Sequence, residues 1–260
     1  MRNILAIAGK ELRAYFYSPI AYLVMAFYTV LCGFFFYSFV ATYQMESFRM
    51  QAMGGGMGAP PMNLNEYIIR PLFEGVLSVI LLLLIPLITM RLYAEEKRAG
   101  TIELLATSPV TDGQIILGKF LGALSLFAVL VLLTFVYIGT LFVYGNPSFK
   151  PLLATALGYF LFGGALMSIG MWISTFTKNQ IIAAGVSFAV LLLLYVVDWV
   201  SSYSFSTVGR VLAYIGVTTH FDNFAKGVID LRDVVYYVSV IVLGLFLTAR
   251  SVEALKGRAG

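Results

Sequence analysis

Long apolar runs alternate with shorter polar stretches along the whole chain. A helix that crosses the roughly 30 Å hydrocarbon core of a bilayer needs about 20 apolar residues, and six runs are of about that length. A large soluble domain with an unusually apolar core is the alternative, but it does not explain runs of this length. The pattern predicts an all-α integral membrane protein with six transmembrane helices, at roughly residues 20–42, 72–90, 116–144, 150–174, 180–200 and 234–250.

The segment before the first run, residues 1–18, has a different pattern. Apolar residues such as Leu5, Leu12 and Phe16 recur at helical spacing, while the charged residues lie mostly elsewhere. This pattern is typical of an amphipathic helix that lies in the headgroup plane. A basic flank that merely anchors the first span is the alternative, and the periodicity favours the interfacial helix.

Two longer segments are predicted on the side of the membrane away from the termini. Residues 53–63 read MGGGMGAPPMN, a composition typical of a flexible linker. Its methionines could bind Cu(I), but no His or Cys lies nearby, so the linker interpretation is preferred. Residues 201–233 mix apolar residues with turn signals, which indicates short helices in the outer interface. They include the one histidine, His220, which we interpret as structural.

Composition and charge support a membrane protein and set its orientation. The chain is 60% hydrophobic and 12% charged, whereas soluble domains average about 25% charged residues. The net charge of +4 is explained by Lys and Arg beside the spans, and no nucleic-acid partner is expected. An even number of spans places both termini on one side. Because 11 of the 17 Lys and Arg residues lie on that side, the termini are predicted to be cytoplasmic.

The sequence lacks the residue sets of most enzymes and pumps. It has one His and one Cys, and almost no ionisable residue inside a span, which argues against catalysis and against an ion-coupled transporter. Gly113 to Lys119 matches the start of a phosphate-binding loop, G-x-x-x-x-G-K, but Phe120 follows where Ser or Thr should bind Mg²⁺. No ATP hydrolysis is therefore expected in this chain. The glycines Gly118 and Gly122 allow close helix contact, either within the chain or at a dimer face.

The cytoplasmic segment 91–115 holds a dense group of charges and ordered helix signals. Gly100 is predicted to end one helix, and Thr101 to cap a short second helix that Ser108-Pro109 terminates. Thr111 and Gln114 fit a capping box that opens the third span. A well-capped turn is the alternative, but turns between spans need only about 2–8 residues. We therefore expect a rigid short helix on which another protein can push.

This segment, RLYAEEKRAGTIELLATSPVTDGQIILGKF, resembles the signature of ABC-2 type permeases, the membrane subunits of a class of ABC transporters. The N-terminal KELRAYFYSPIAY is also similar to that family, and NEYIIRPLF before the second span resembles its gliding-motility-associated permeases. The residues that fit the family pattern are Arg91, Glu95, Glu96, Gly100, Thr101, Glu103, Leu105, Pro109, Gly118 and Lys119.

The resemblance implies a permease subunit in the bacterial inner membrane that couples ATP hydrolysis by a separate ATPase to export or mechanical work. It implies two copies of that ABC ATPase, which bind ATP and Mg²⁺, and a second permease subunit, identical or homologous. The short helix after Thr101 would be the coupling helix. The residues expected to couple to the ATPase are Arg91, Glu95, Glu96, Gly100, Thr101, Glu103, Leu104, Leu105, Ser108 and Pro109.

Two other functions are alternatives to a permease subunit. An intramembrane enzyme, such as a lipid-modifying transferase, would need clustered His, Asp or Arg near one membrane face, and the sequence shows no such cluster. A non-transporting membrane scaffold of an ATPase-driven assembly or motility complex would use the same cytoplasmic helix. The sequence leaves this second alternative open.

Overall fold

The computed structural model describes residues 2–52, 62–101, 110–201 and 216–256, which form helices joined by short turns, with no strand among them. Six helical stretches of this part are long and apolar enough to cross a membrane, so the predicted all-α fold with six spans is confirmed. The helices are α1 (Arg2–Tyr17), α2 (Pro19–Ala52), α3 (Ser78–Thr89), α4 (Arg91–Ala99), α5 (Asp112–Tyr144), α6 (Phe149–Ser174), α7 (Gln180–Ser201), α8 (Thr219–Ala225) and α9 (Leu231–Lys256).

Helix α2 continues well beyond the first predicted span, 20–42, and ends at Ala52. Its 34 residues, at 1.5 Å each, give a length of about 51 Å, which exceeds the roughly 30 Å of hydrocarbon. The additional turns are polar but still form a helix, and Glu46 and Arg49 make an i,i+3 ion pair at 3.2 Å on their surface. The end of the apolar run near residue 42 is therefore not the end of the helix.

The second predicted span, 72–90, is the middle of a helical stretch that runs from Asn65 to Ala99. Two π-helical segments, Asn65–Ile69 and Pro71–Leu77, precede α3. Pro71 opens the second of them, and its missing N–H removes one ordinary helical hydrogen bond. The stretch then continues through α3 and α4 and joins the two ends of the molecule.

The second and fourth spans lie at the centre of the bundle. In each, 67% of the most apolar window is buried, against 17% in the fifth and sixth spans. The rings of Phe73 and Tyr159 meet edge to face, with their centres 5.0 Å apart. Close helix contact depends on small residues, because a Cβ atom at Gly163 would lie 2.3 Å from the Phe127 ring. This glycine therefore packs within the chain.

At the end of the bundle away from α1, which we call the α8 end, Arg70 joins the second span to α8. Its guanidinium binds Glu74 at 2.8 Å, as their i,i+4 spacing favours, and Glu66 at 3.2 Å. It also binds Asp222 of α8 at 2.9 Å. The hydroxyl of Thr155 donates to the Phe224 carbonyl at 2.9 Å. Helix α8 is thus fixed to two central spans.

Helix α8 is also bonded to the sixth span through His220. Its Nδ1 lies 2.7 Å from Oδ1 of Asp233, and its ring stacks on Tyr236 with the centres 3.8 Å apart. Asn223 donates to the other oxygen of Asp233 at 2.8 Å. His220 is buried in these contacts, which agrees with a structural role. The sequence pattern does not indicate its partner, Asp233.

Candidate functional site

At the other end of the bundle, α1 packs along the first turns of α5. Two glycines make the close approach possible. A Cβ atom at Gly118 would lie 2.6 Å from Cβ of Ile7, and one at Gly122 would lie 2.5 Å from Cβ of Glu11. The sequence left open whether this GxxxG pattern serves a dimer or the chain itself, and in the structure it receives the chain's own N-terminal helix.

Lys119 lies between these glycines and is almost completely buried, with 2% of its surface exposed. Its ammonium binds Oε1 of Glu11 in α1 at 2.9 Å and Oε1 of Glu96 in α4 at 2.7 Å. The same nitrogen lies 5.4 Å from the centre of the Tyr93 ring, within the range of a cation–π contact. We call Glu11, Glu96 and Lys119 the charge cluster. It joins α1 to α4 and α5, which lie about 80 to 110 residues further along the chain.

The charge cluster is not saturated with hydrogen bonds. Within the described part of the chain, Oε2 of Glu96 and the hydroxyl of Tyr93 are buried and have no hydrogen-bond partner. A buried polar atom without a partner costs free energy, and an incoming donor recovers it. Glu96 can therefore accept a further hydrogen bond without releasing Lys119.

A cavity of about 470 Å³ adjoins the charge cluster between α1, α4 and α5. All three cluster residues line it, together with basic and acidic side chains that include Lys10 and Glu95. Thr101, the predicted N-cap of the coupling helix, also lines it. The residue that directly precedes the segment predicted to meet the ATPase therefore lies at this cavity.

Arg91 and Glu95 form an ion pair at 3.1 Å on α4. The guanidinium of Arg91 also lies 5.1 Å from the centre of the Tyr15 ring in α1. Burial, with a smaller contribution from the Glu11 charge, raises the pKa of the Tyr15 hydroxyl above its ordinary value, so this group stays protonated at neutral pH. It donates to the carbonyl of Ile88 at 2.8 Å and holds α1 against the second span.

Gly100 ends α4 as predicted, with a left-handed φ of 71° that favours glycine. The N–H groups of Gly100 and Thr101 both donate to the carbonyl of Glu96, so the residue that binds Lys119 is also the residue that closes the helix. The remaining predicted coupling residues lie outside the described residues, as does the predicted coupling helix itself: Glu103, Leu104, Leu105, Ser108 and Pro109.

The predicted capping box at the start of α5 is wrong. Thr111 occupies the N-cap position, but its side chain makes no capping hydrogen bond. The side chain of Gln114 instead accepts a hydrogen bond from Asn3 of α1 at 3.3 Å. The contact with α1 therefore replaces the local one.

Lys97 extends the connections of α4 to the fourth span. Its ammonium donates to the carbonyl of Thr175, directly after the last turn of α6. A cation near a helix C-terminus is favourable, because it meets the carbonyl groups that lack helical partners. Helix α4 is thus bonded to α5, α1 and the end of α6.

Sequence reasoning did not bring Glu11 and Lys119 together. The phosphate-loop pattern from Gly113 to Lys119 lies entirely within helix α5, and Lys119 binds carboxylates of its own chain. One sequence feature does indicate such a contact: Lys119 lies between two glycines that allow another helix to pack closely. A lysine buried by that packing needs a carboxylate partner. Among the described residues, no group of three His, Cys, Asp or Glu side chains is arranged to hold a metal ion.

A family model described as ABC-2 family transporter protein matches residues 5–226. The chain belongs to the ABC-2 family. The match extends from α1 through α8 and includes the whole charge cluster. ABC-2 membrane domains are non-catalytic transporter subunits in a membrane, and membership implies an ABC ATPase as partner. A search of curated proteins found no match to the chain.

Proposed function

We propose that this ABC-2 protein is the permease subunit of a transporter in which a separate ATPase drives export or mechanical work across the bacterial inner membrane. The observation that carries the proposal is the family match over residues 5–226. The charge cluster supports it, because it binds α4, the helix that precedes the segment 102–109 in sequence, to α1 and α5.

Force from the ATPase would reach the spans through α4. Residues 102–109 would act as the coupling helix, with Glu103, Leu104, Leu105, Ser108 and Pro109 in contact with the ATPase. Because Lys119 binds both Glu11 and Glu96, a push on this segment would move α4, α1 and α5 together. The helical stretch Asn65–Ala99 would carry the displacement to the α8 end, where Arg70 holds α8.

The proposed complex contains two permease subunits, identical or homologous, and two ATPase subunits that hold ATP and Mg²⁺. Both termini would be cytoplasmic, which is supported by the six spans and by the distribution of Lys and Arg. A closer relation to the gliding-motility-associated permeases is supported only by the motif NEYIIRPLF.

Co-purification tests the proposal. The tagged chain, extracted from its native membranes in mild detergent, is expected to retain an ABC ATPase that mass spectrometry identifies from its nucleotide-binding motifs. The variant Glu95→Ala/Glu103→Ala is expected to retain on the order of tenfold less ATPase, since a charged contact contributes about 1.5–3 kcal/mol. The matched control, Glu46→Ala/Glu253→Ala, removes two carboxylates from exposed ion pairs elsewhere and should bind as wild type.

Two results would contradict the proposal at different levels. Absence of any ABC ATPase from the wild-type preparation would refute the permease function. If the Glu95→Ala/Glu103→Ala variant kept a bound and fully active ATPase, the coupling site would lie elsewhere on the chain.

A further inference from the structure

Helix α1 has a second face of functional interest, beside the one that packs on α5. Its residues Lys10 and Ala14 also line the cavity of the charge cluster. One face, with Ile7 and Glu11, packs on the glycines of α5. Roughly a third of a turn around the helix axis lie Lys10, Arg13 and Tyr17, which are exposed. Because α1 is held by α5, this second face is fixed in place and does not depend on partner binding for its structure.

A groove of about 500 Å³ runs along this face. It is lined by Lys10, Arg13 and Tyr17, with the small residues Ala6 and Ala14 between them. Each of these five residues is three or four positions from another along α1, so they lie on one side of the helix. The alanines leave room, and the longer side chains form the walls.

The groove is cationic, although Lys10 also lines the cavity that contains Glu95 and Glu96. Neither Lys10 nor Arg13 makes an ion pair with a described residue, whereas the one acid of α1, Glu11, is bound to Lys119. Exposed unpaired cations on a fixed scaffold suit an anion, and a guanidinium and an ammonium are the usual protein groups that bind phosphate.

The position of the groove indicates where its anion comes from. Helix α1 ends at Tyr17, and the membrane-spanning helix α2 begins at Pro19. Tyr17 is 88% exposed, as is common for a tyrosine at the level of lipid headgroups, and Leu5 of the same helix is 68% exposed. A phosphate that reaches this groove therefore belongs to a lipid of the adjoining leaflet.

We propose that this groove binds the phosphate of an anionic phospholipid, with Lys10 and Arg13 as its cationic ligands and Tyr17 beside the glycerol region. Binding would fix the depth of α1 at the membrane surface, next to the charge cluster. The proposal needs no ATPase and stands or falls independently of the permease function.

The test is lipid binding to the delipidated full-length protein in detergent, measured by native mass spectrometry. Phosphatidylglycerol is expected to bind, and phosphatidylcholine with the same acyl chains is expected to bind far more weakly. Removing both charges in Lys10→Gln/Arg13→Gln should weaken phosphatidylglycerol binding at least tenfold, since each basic residue near an anionic surface contributes severalfold. The control Lys178→Gln/Arg250→Gln removes two exposed cations elsewhere and should stay within twofold of wild type.

A second variant separates a built groove from general electrostatic attraction. Ala6→Leu fills the groove but keeps both charges, so it should weaken binding severalfold, with circular dichroism and thermal unfolding unchanged. Equal binding of the two lipids, an equal loss in the control variant, or wild-type affinity in Ala6→Leu would each overturn the proposal. Displacement of the lipid by millimolar inorganic phosphate would overturn the assignment to a lipid headgroup.

Discussion

Replacing Lys119 with methionine is expected to lower the free energy of unfolding by about 3–5 kcal/mol, the usual cost of leaving a buried charge without its partner. The ammonium is the group that holds Glu11 and Glu96 together, and both carboxylates are largely buried beside it. Without it, two negative charges face each other away from water. Equilibrium unfolding in mixed detergent micelles, followed by circular dichroism, measures the loss.

A neutral version of the charge cluster serves as the matched comparison. The triple variant Lys119→Met/Glu11→Gln/Glu96→Gln removes all three charges at nearly constant volume. It should recover most of the stability, because neutral replacement of a whole buried ion pair is often close to neutral in free energy. Lys178→Met, at an exposed position, should change stability by less than about 0.5 kcal/mol. Equal losses in the single and triple variants would show that the charges are not what holds the helices.

Alanine at Gly118 and at Gly122 is expected to destabilise the chain by about 1–3 kcal/mol at each position. Each new methyl group would fall about 2.5 Å from α1, at 2.6 Å from Ile7 and at 2.5 Å from Glu11. Since the two helices are already in close contact there, α1 must move away from α5, and Lys119 then loses its contact with Glu11. The unfolding measurement described for Lys119 applies, and cross-linking between α1 and α5 should fall in parallel.

Gly139 of the same helix provides the control, because a Cβ atom there meets nothing within 4 Å. Gly139→Ala should be stabilising by about 0.5–1 kcal/mol, the ordinary advantage of alanine over glycine inside a helix. If all three substitutions behaved alike, the close approach of α1 to α5 would be refuted.

The features that could be predicted from the sequence are those set by local chemistry. The apolar runs predicted the six spans. The glycine at position 100 predicted the end of α4, because the left-handed backbone that ends a helix favours glycine. The pair Arg70–Glu74 followed from its i,i+4 spacing. Each of these depends on residues within a few positions of one another.

The features that could not be predicted depend on contacts between remote segments. Lys119 binds Glu11, 108 residues away, and no local pattern specifies that distance. The capping box failed for the same reason, since Gln114 bonds with Asn3 of α1 instead of its own helix end. Helix α2 extends beyond the predicted end of the first span, because hydropathy indicates which residues lie in the membrane and not where a helix ends.

We propose that the charge cluster transmits force between a separate ATPase and the spans. The most direct test is the ATP hydrolysis rate of the purified complex, reconstituted in lipid, with wild-type chain and with Lys119→Met/Glu11→Gln/Glu96→Gln. We expect the triple variant to fold and to keep its ATPase bound, while the permease-stimulated rate falls on the order of tenfold, within the usual range of coupling free energies. A triple variant that hydrolyses ATP at the wild-type rate would contradict it.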